Sequence, residues 1–163
     1  MLGVSTATGD ADGAYAQPTN FVREGDTNGW VKVEEKFTTG ADATRLTFMF
    51  AGQGGTFYID DVALVAKPAM VDEAVTGMVA NGNFADGVTG WQDCGIFGGT
   101  GSKEVVEDAD RMSHVMKITP ADGFFGTGTL EADGYYIAVQ PNTEYTFSYW
   151  LKQVGASASS KVM

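Results

Sequence analysis

Few side chains in this sequence can form covalent or metal cross-links. The chain of 163 residues contains one cysteine, Cys94, and one histidine, His114. A single cysteine cannot form an intramolecular disulfide, so we expect Cys94 to be a small buried apolar residue. With one histidine and one cysteine, we expect neither a zinc site nor a histidine-based catalytic triad.

Positively charged residues are scarce as well. Lysine and arginine together number 10, against 21 aspartates and glutamates, which gives a formal net charge of −11 at pH 7. Nucleic acids and anionic membrane surfaces are bound through clusters of basic side chains, so we expect neither as a partner. A strong negative charge suits a protein that stays soluble outside the cell, and carboxylates can collect Ca²⁺.

Long apolar runs and enzyme motifs are missing too. No run approaches the roughly 20 residues that span a bilayer. Residues 1–5 lack the basic and apolar regions of a signal peptide, so we expect a secreted protein to be represented here by a mature or excised segment. Neither Gly-x-Ser-x-Gly nor His-Glu-x-x-His occurs, and the lysine of the glycine-rich segment 97–103 follows serine, unlike in a phosphate loop. We therefore expect no catalytic residues and no enzymatic activity.

Alternation of apolar and polar residues dominates the rest of the chain. This period of two is typical of strands with one buried face, and Tyr145, Phe147 and Tyr149 follow it. About ten such strands follow one another at a spacing of roughly 8–15 residues, which predicts an all-β sandwich or jelly roll. The strands predicted from alternation include 30–37, 44–50, 56–66, 111–119, 135–140 and 144–152.

Two expectations concern particular segments of this pattern. The glycine-rich segments 93–103 and 120–134 are predicted as loops. In the strand 111–119, His114 shares a face with Met112 and Met116. We therefore expect its imidazole in the apolar core rather than in an active site.

Two motifs in the chain resemble a known protein family. The segment Asn-Gly-Asn-Phe-Ala-Asp-Gly-Val-Thr-Gly-Trp (81–91) resembles the opening of carbohydrate-binding modules of the family 4/9 type. The segment Gly-Thr-Phe-Tyr-Ile-Asp-Asp-Val-Ala-Leu-Val (55–65) resembles their closing strand. Residues 141–152 are similar to the middle strand of these modules, and residues 29–50 to the two strands before the closing one. The resemblance implies a galactose-binding-like jelly roll that is secreted and non-catalytic.

The order of the motifs is reversed relative to the family. Residues 1–67 resemble the C-terminal half of a module, residues 68–80 form a linker, and residues 81–163 resemble the N-terminal half. Neither half can close a two-sheet core alone, because its edge strands would stay unpaired. The halves can complete each other within one chain as a circular permutant, or between chains by strand exchange. In the third arrangement, the chain is a slice of a tandem array of modules, cut in the middle of a module. The terminal segments 159–163 and 2–6 can form one interrupted strand.

The resemblance implies binding of a polysaccharide of the β-glucan or xylan type. Aromatic rings stack on the apolar faces of sugars, and Trp150 lies on the side of its strand opposite to the predicted core residues. It can instead pack beneath a loop, as we expect for Trp91. The alternative function is a structural subunit of an extracellular filament or surface array, assembled by strand exchange between the halves. The candidate ligand-binding residues are Trp150, Tyr136, Gln140, Lys152 and Phe124.

The resemblance also implies a structural Ca²⁺ ion where the opening and closing motifs meet. Ca²⁺ requires several oxygen ligands. Ala85 stands where the family often has an acidic residue. A carboxylate such as Asp60 within an apolar strand is costly unless it is paired or bound to a metal, and it can alternatively cap turn amides. The candidate ligands are Asp60, Asp86, Asn81 and Asn83.

Overall fold

All regular elements of the described residues are β-strands, which confirms the all-β prediction. The computed structural model describes residues 2–8, 15–21, 23–67, 79–129, 136–155 and 161–162. None of these residues forms a helix long and apolar enough to cross a membrane. The strands are β1 (Leu2–Thr8), β2 (Tyr15–Phe21), β3 (Arg23–Glu24), β4 (Val31–Thr38), β5 (Ala43–Gly52), β6 (Thr56–Ala66), β7 (Gln92–Asp108), β8 (Ser113–Gly128), β9 (Ile137–Ala138), β10 (Glu144–Val154) and β11 (Lys161–Val162).

The described strands form one large antiparallel sheet and a small one. The order in the large sheet is β2-β1-β5-β8-β6-β10-β4, in which β7 also pairs with β8 and β9 with β5, while β11 pairs with β3 in the small sheet. The long strand β8 pairs with β5 through residues 125–128 and with β6 through residues 116–118. Because one strand has different neighbours at its two ends, the large sheet can fold over into two layers.

Aromatic contacts show that the two layers face each other. The described strands β5 and β10 share no hydrogen-bonded ladder, yet the ring centroids of Phe48 and Phe147 lie 5.0 Å apart. Those of Phe50 and Tyr149 lie 4.8 Å apart. Burying one such aromatic side chain contributes about 1.5–3 kcal/mol to folding. The packed faces form the β-sandwich arrangement that the alternation predicts.

The glycine-rich segments that were expected to be loops are strands instead as far as Gly128, and residues 130–134 lie outside the described residues. Residues 93–103 belong to β7 and residues 120–128 belong to β8. A Cβ atom at Gly126 would lie 1.7 Å from the carbonyl oxygen of Phe50. Only glycine fits where β8 lies this close to β5, so the glycine marks a close approach of two strands rather than a loop.

The core prediction for His114 is wrong. His114 is exposed and Met112 is 91% exposed, whereas Met116 is fully buried. His114 pairs with Glu107 near the end of the β7–β8 hairpin, so its side chain lies beyond the edge of the core. Met112 lies in the hairpin turn itself, with a φ of 53°. The alternation therefore holds for the strand, but the core does not extend to its first residues.

Cys94 occupies the buried environment that was predicted for the single cysteine of the chain. It is a free thiol that is 4% exposed. Burial raises the pKa of this thiol to about 12, against a smaller lowering by Lys103. Cys94 is therefore confirmed as a buried apolar residue, and its thiol stays protonated at neutral pH.

The opening and closing motifs lie side by side. The backbone N–H of Val62 donates to the carbonyl oxygen of Gly82 at 2.9 Å. A Cβ atom at Gly82 would lie 2.0 Å from the carbonyl oxygen of Val62, so only glycine allows this approach. Apart from Val79 and Ala80, the predicted linker 68–80 lies outside the described residues, and Val79 is buried in the core.

Candidate functional site

Three aromatic side chains lie on the outer face of the layer formed by β4, β10 and β6. In the strand register, Trp150 pairs with Asp60 of β6, and Lys152 pairs with Tyr58. Trp150 and Tyr58 point away from the core because their neighbours along each strand are buried. Trp30 precedes β4, and its ring lies 6.4 Å from that of Tyr58 in an edge arrangement. We call these three half-buried residues, Trp30, Tyr58 and Trp150, the aromatic face.

The turn between β7 and β8 folds over the aromatic face. The guanidinium of Arg111 lies over the Trp150 ring, 4.4 Å from its centroid, and 5.6 Å from the centroid of Trp30. The ammonium of Lys152 lies 5.5 Å from the centroid of Tyr58 and 5.7 Å from that of Trp30. A cation–π contact contributes about 0.5–2 kcal/mol, depending on how far the cation is desolvated. The two cations therefore fill the space between the rings.

A buried carboxylate, Asp60, holds Arg111 in place. The Asp60 side chain has 0% of its surface exposed, and its Oδ2 accepts hydrogen bonds from Arg111 Nε at 2.9 Å and Ser113 Oγ at 2.8 Å. Its Oδ1 accepts the backbone N–H of Asp61 at 2.8 Å. Arg111 also donates to Asp61, whose φ of 47° coincides with an irregularity in the pairing of β6 with β10. A buried charge is tolerated when it is paired and hydrogen-bonded, and Asp60 meets both conditions.

A second carboxylate, Asp108, holds the turn from the other side. Its Oδ1 accepts hydrogen bonds from Trp30 Nε1 at 3.1 Å and from the backbone N–H of Arg111 at 3.0 Å. Its Oδ2 accepts a hydrogen bond from Lys152 Nζ at 3.2 Å. Burial raises the pKa of Asp108, but the hydrogen bonds that it accepts outweigh burial and bring the pKa below its ordinary value. Burial lowers the pKa of Lys152, but the hydrogen bond and charge of Asp108 outweigh it, so the net shift is upward.

The structure brings two of the predicted ligand-binding residues together and leaves Tyr136 apart from them. Trp150 and Lys152 both lie on the outer face of β10. Tyr136 is 44% exposed, with the Arg45 guanidinium 4.6 Å from its ring centroid. It precedes β9, which pairs with β5 in the other layer. Tyr136 therefore belongs to a different surface.

Gln140 and Phe124 also lie away from the aromatic face. Gln140 precedes β10, whereas Trp150 is the seventh residue of that strand. At about 3.3 Å per residue, the two residues are on the order of 20 Å apart. Phe124 pairs with Ile96 in the part of the hairpin next to β5.

Four residues of this surface were not predicted from the sequence. For Tyr58 a local signal was available, because successive side chains of a strand face opposite sides and its neighbour Phe57 is buried. No local signal indicates where the hairpin turn lies, since its position depends on the pairing of β8 with β6. The residues that sequence reasoning missed are Trp30, Tyr58, Asp108 and Arg111.

The predicted calcium ligands in the opening motif organise the loop. The Nδ2 of Asn81 donates to the carbonyl oxygen of Gly87 at 2.9 Å, and its Oδ1 accepts the backbone N–H of Asp86 at 3.0 Å. The Oδ1 of Asn83 accepts the backbone N–H of Ala85 at 3.3 Å. These side chains therefore satisfy backbone groups of residues 81–91.

The two carboxylates among the predicted calcium ligands, Asp60 and Asp86, lie in different surroundings. Asp60 faces the positive charge of Arg111, which a bound cation would have to displace. Asp86 is exposed. In the part of the chain that the structure describes, no group of three or more His, Cys, Asp or Glu residues is arranged to hold a metal ion. Calcium stays a prediction from the resemblance, and the contacts of Asp60 do not fit it.

No protein-family model, curated protein or solved structure matches the chain. The resemblance to carbohydrate-binding modules therefore stays a prediction carried by the residues of its two motifs.

Proposed function

We propose that this chain is a non-catalytic, extracellular β-sandwich that binds a polysaccharide of the β-glucan or xylan type on its aromatic face. The observation that carries the proposal is that three half-buried aromatic rings share one outer sheet surface, with charged groups between them. Ligand sites combine aromatic and apolar area with a few fixed polar groups. The motif resemblance supports the class of ligand, and it supports a jelly roll whose halves occur in reversed order.

The aromatic residues take different roles in this proposal. Arg111 lies over the Trp150 ring, so Trp150 acts by positioning that guanidinium. The cations lie farther from the ring centroids of Trp30 and Tyr58, at 5.5 to 5.7 Å, so these are the rings on which a sugar stacks. Lys152, which lies between these two rings, donates hydrogen bonds to sugar hydroxyl groups.

The charges on this surface favour an uncharged polysaccharide over an acidic one. Arg111 is paired with Asp60 and Asp61, and Lys152 is paired with Asp108 at 3.2 Å and with the exposed Asp110 at 3.6 Å. Each cation therefore already has acidic partners, and little positive potential is left for a uronate. The glycan types named by the resemblance, β-glucan and xylan, have uncharged backbones.

Affinity electrophoresis tests this proposal directly. In gels that contain soluble xylan or β-glucan, we expect the protein to be retarded relative to a gel without polysaccharide. Trp30→Ala removes a stacking ring and Trp150→Ala releases Arg111, so each should weaken binding by about tenfold or more, which corresponds to about 1.4 kcal/mol. Circular dichroism establishes that both variants stay folded.

Tyr136→Ala provides the matched control, because it removes an exposed aromatic ring from the other layer. This variant should be retarded as strongly as the unmodified protein. Unchanged retardation of Trp30→Ala and Trp150→Ala would contradict the site. Absence of retardation of the unmodified protein in every polysaccharide gel would contradict the function.

A further inference from the structure

The strands of one layer come alternately from two parts of the chain. We call residues 1–67 the first segment and residues 79–163 the second segment. Among the described strands, β4 of the first segment pairs with β10 alone, and β6 pairs with β8 and β10. Both partners belong to the second segment. The strands β4 and β6 therefore have no described neighbour from their own segment, and their edges would be unpaired if the segments separated.

The aromatic core is shared between the segments in the same way. Phe48 and Phe50 belong to the first segment, and Phe147 and Tyr149 to the second, with each of these rings at most 1% exposed. Separating the segments would expose the rings to water, at a cost of about 25 cal/mol per Å² of apolar surface. Each segment therefore needs a complementary segment in order to fold.

The last strand, β11, also joins the two segments. Val162 of β11 pairs with Arg23, and Leu2 of β1 pairs with Phe21. Both pairings are antiparallel, and they place Val162 and Leu2 opposite Arg23 and Phe21, on either side of residue 22. This is the register expected of one interrupted strand. Through it, the second segment extends the strand pairing of the first.

We propose that two copies of the chain exchange segments, so that the first segment of each copy packs with the second segment of the other. The pairs of β4 and β6 with strands of the second segment, the pair of β11 with β3, and the core contacts between the segments are then formed between copies. Exchange of identical elements is a low-cost route to a dimer, because the exchanged and unexchanged forms differ mainly in the connection and in concentration. Within one chain, a connection as short as residues 68–78 gives an effective concentration on the order of mM. The exchanged dimer therefore forms when the chain refolds at high protein concentration.

The exchanged dimer contains two complete aromatic faces, each built from both copies. Trp30 and Tyr58 come from the first segment of one copy, whereas Arg111, Trp150 and Lys152 come from the second segment of the other. The binding capacity of the dimer rests on the proposed function, whereas the exchange itself rests only on the strand register and the core contacts.

Cross-linking of full-length chains tests the exchange without any polysaccharide. Glu34 of β4 and Ser148 of β10 pair directly in the register, and Glu34 is exposed while Ser148 is half-buried on the outer face. Two chains are prepared, one with Glu34→Cys and one with Ser148→Cys, both in a Cys94→Ala background. They are mixed in denaturant, refolded together at high concentration and treated with a short thiol-specific cross-linker. We expect a covalent dimer that contains one chain of each kind.

Two controls define the outcome. Replacing Ser148→Cys by Asn142→Cys, an exposed turn position before β10, should reduce the dimer to background. A single chain that carries both Glu34→Cys and Ser148→Cys should cross-link internally when refolded at high dilution. The proposal is overturned if that chain cross-links internally while the mixed chains stay monomeric at every concentration. Failure of the internal cross-link also overturns it, because the register would then be different.

Discussion

Two tryptophans of this protein, Trp91 and Trp150, occupy contrasting environments. Trp91 is 4% exposed, its ring lies 5.0 Å from that of Phe84, and its indole N–H donates to the carbonyl oxygen of Asn81 at 3.1 Å. Trp150 is half-buried on the opposite side of the sheet, beneath the guanidinium of Arg111. The comparison shows that the role of a large aromatic residue here depends on what covers its side of the sheet.

The largest expected effect is the difference in stability between the two alanine variants. Trp91→Ala should lower the free energy of unfolding by about 3–5 kcal/mol, because it removes a fully packed side chain and leaves a cavity. Trp150→Ala should lower it by about 1–2 kcal/mol, because only part of that side chain is removed from water. Urea denaturation measures both values. Equal losses would show that Trp150 is as much a core residue as Trp91.

A smaller effect is expected for the carboxylate that anchors Arg111 over Trp150. Asp60→Asn keeps the shape of the side chain but removes its charge, so we expect a loss of about 1.5–3 kcal/mol, the value of hydrogen bonds to charged groups. The matched control is Asp61→Asn, since Asp61 pairs with the same arginine but is 56% exposed. Exposed ion pairs contribute about 1 kcal/mol or less. If Asp61→Asn proved the more destabilising in urea, the buried anchor would be assigned wrongly.

The smallest expected effect concerns pH and the ion pair of Asp108 with Lys152. The pKa of Asp108 is lowered from 3.8, so its contribution is present above that value and is lost as pH falls through the folded-state pKa. The pKa of Lys152 is raised from 10.5, so its contribution is present below that value and is lost as pH rises through the folded-state pKa. Asp108→Asn should therefore cost about 1 kcal/mol at pH 7 and close to nothing once Asp108 is protonated.

Denaturation series at pH 7 and at pH 3 or below test this expectation, with the unmodified protein as the reference. The gap between the two proteins should narrow as pH falls. A gap that is constant with pH would show that the carboxylate charge of Asp108 does not hold the hairpin turn on the aromatic face.

Local sequence pattern predicted much of the fold but only part of the candidate site. The alternation in β10 correctly indicated that Tyr145, Phe147 and Tyr149 face the core and that Trp150 and Lys152 face outward. That result follows from strand geometry alone, because successive side chains point to opposite faces. The packing expected for Trp91 is also confirmed.

The errors arose where distant parts of the chain meet. The glycines of β7 and β8 were interpreted as loop residues, although Gly126 is needed to let β8 approach Phe50. His114 was placed in the core because alternation does not indicate where the opposite layer ends. Tyr136 and Gln140 were grouped with Trp150, although strand pairing sends them to other places.

The sequence by itself determined that the chain is an all-β protein, which side of each clear strand is apolar, and that no disulfide can support the fold. These properties depend on composition and on the two-residue period of a strand. Only the tertiary structure decided which rings share a surface and which carboxylate holds Arg111. Asp60 and Arg111 are separated by 51 residues and meet only because β8 pairs with β6. Partners this far apart are chosen by sheet pairing and core packing, which no local pattern encodes.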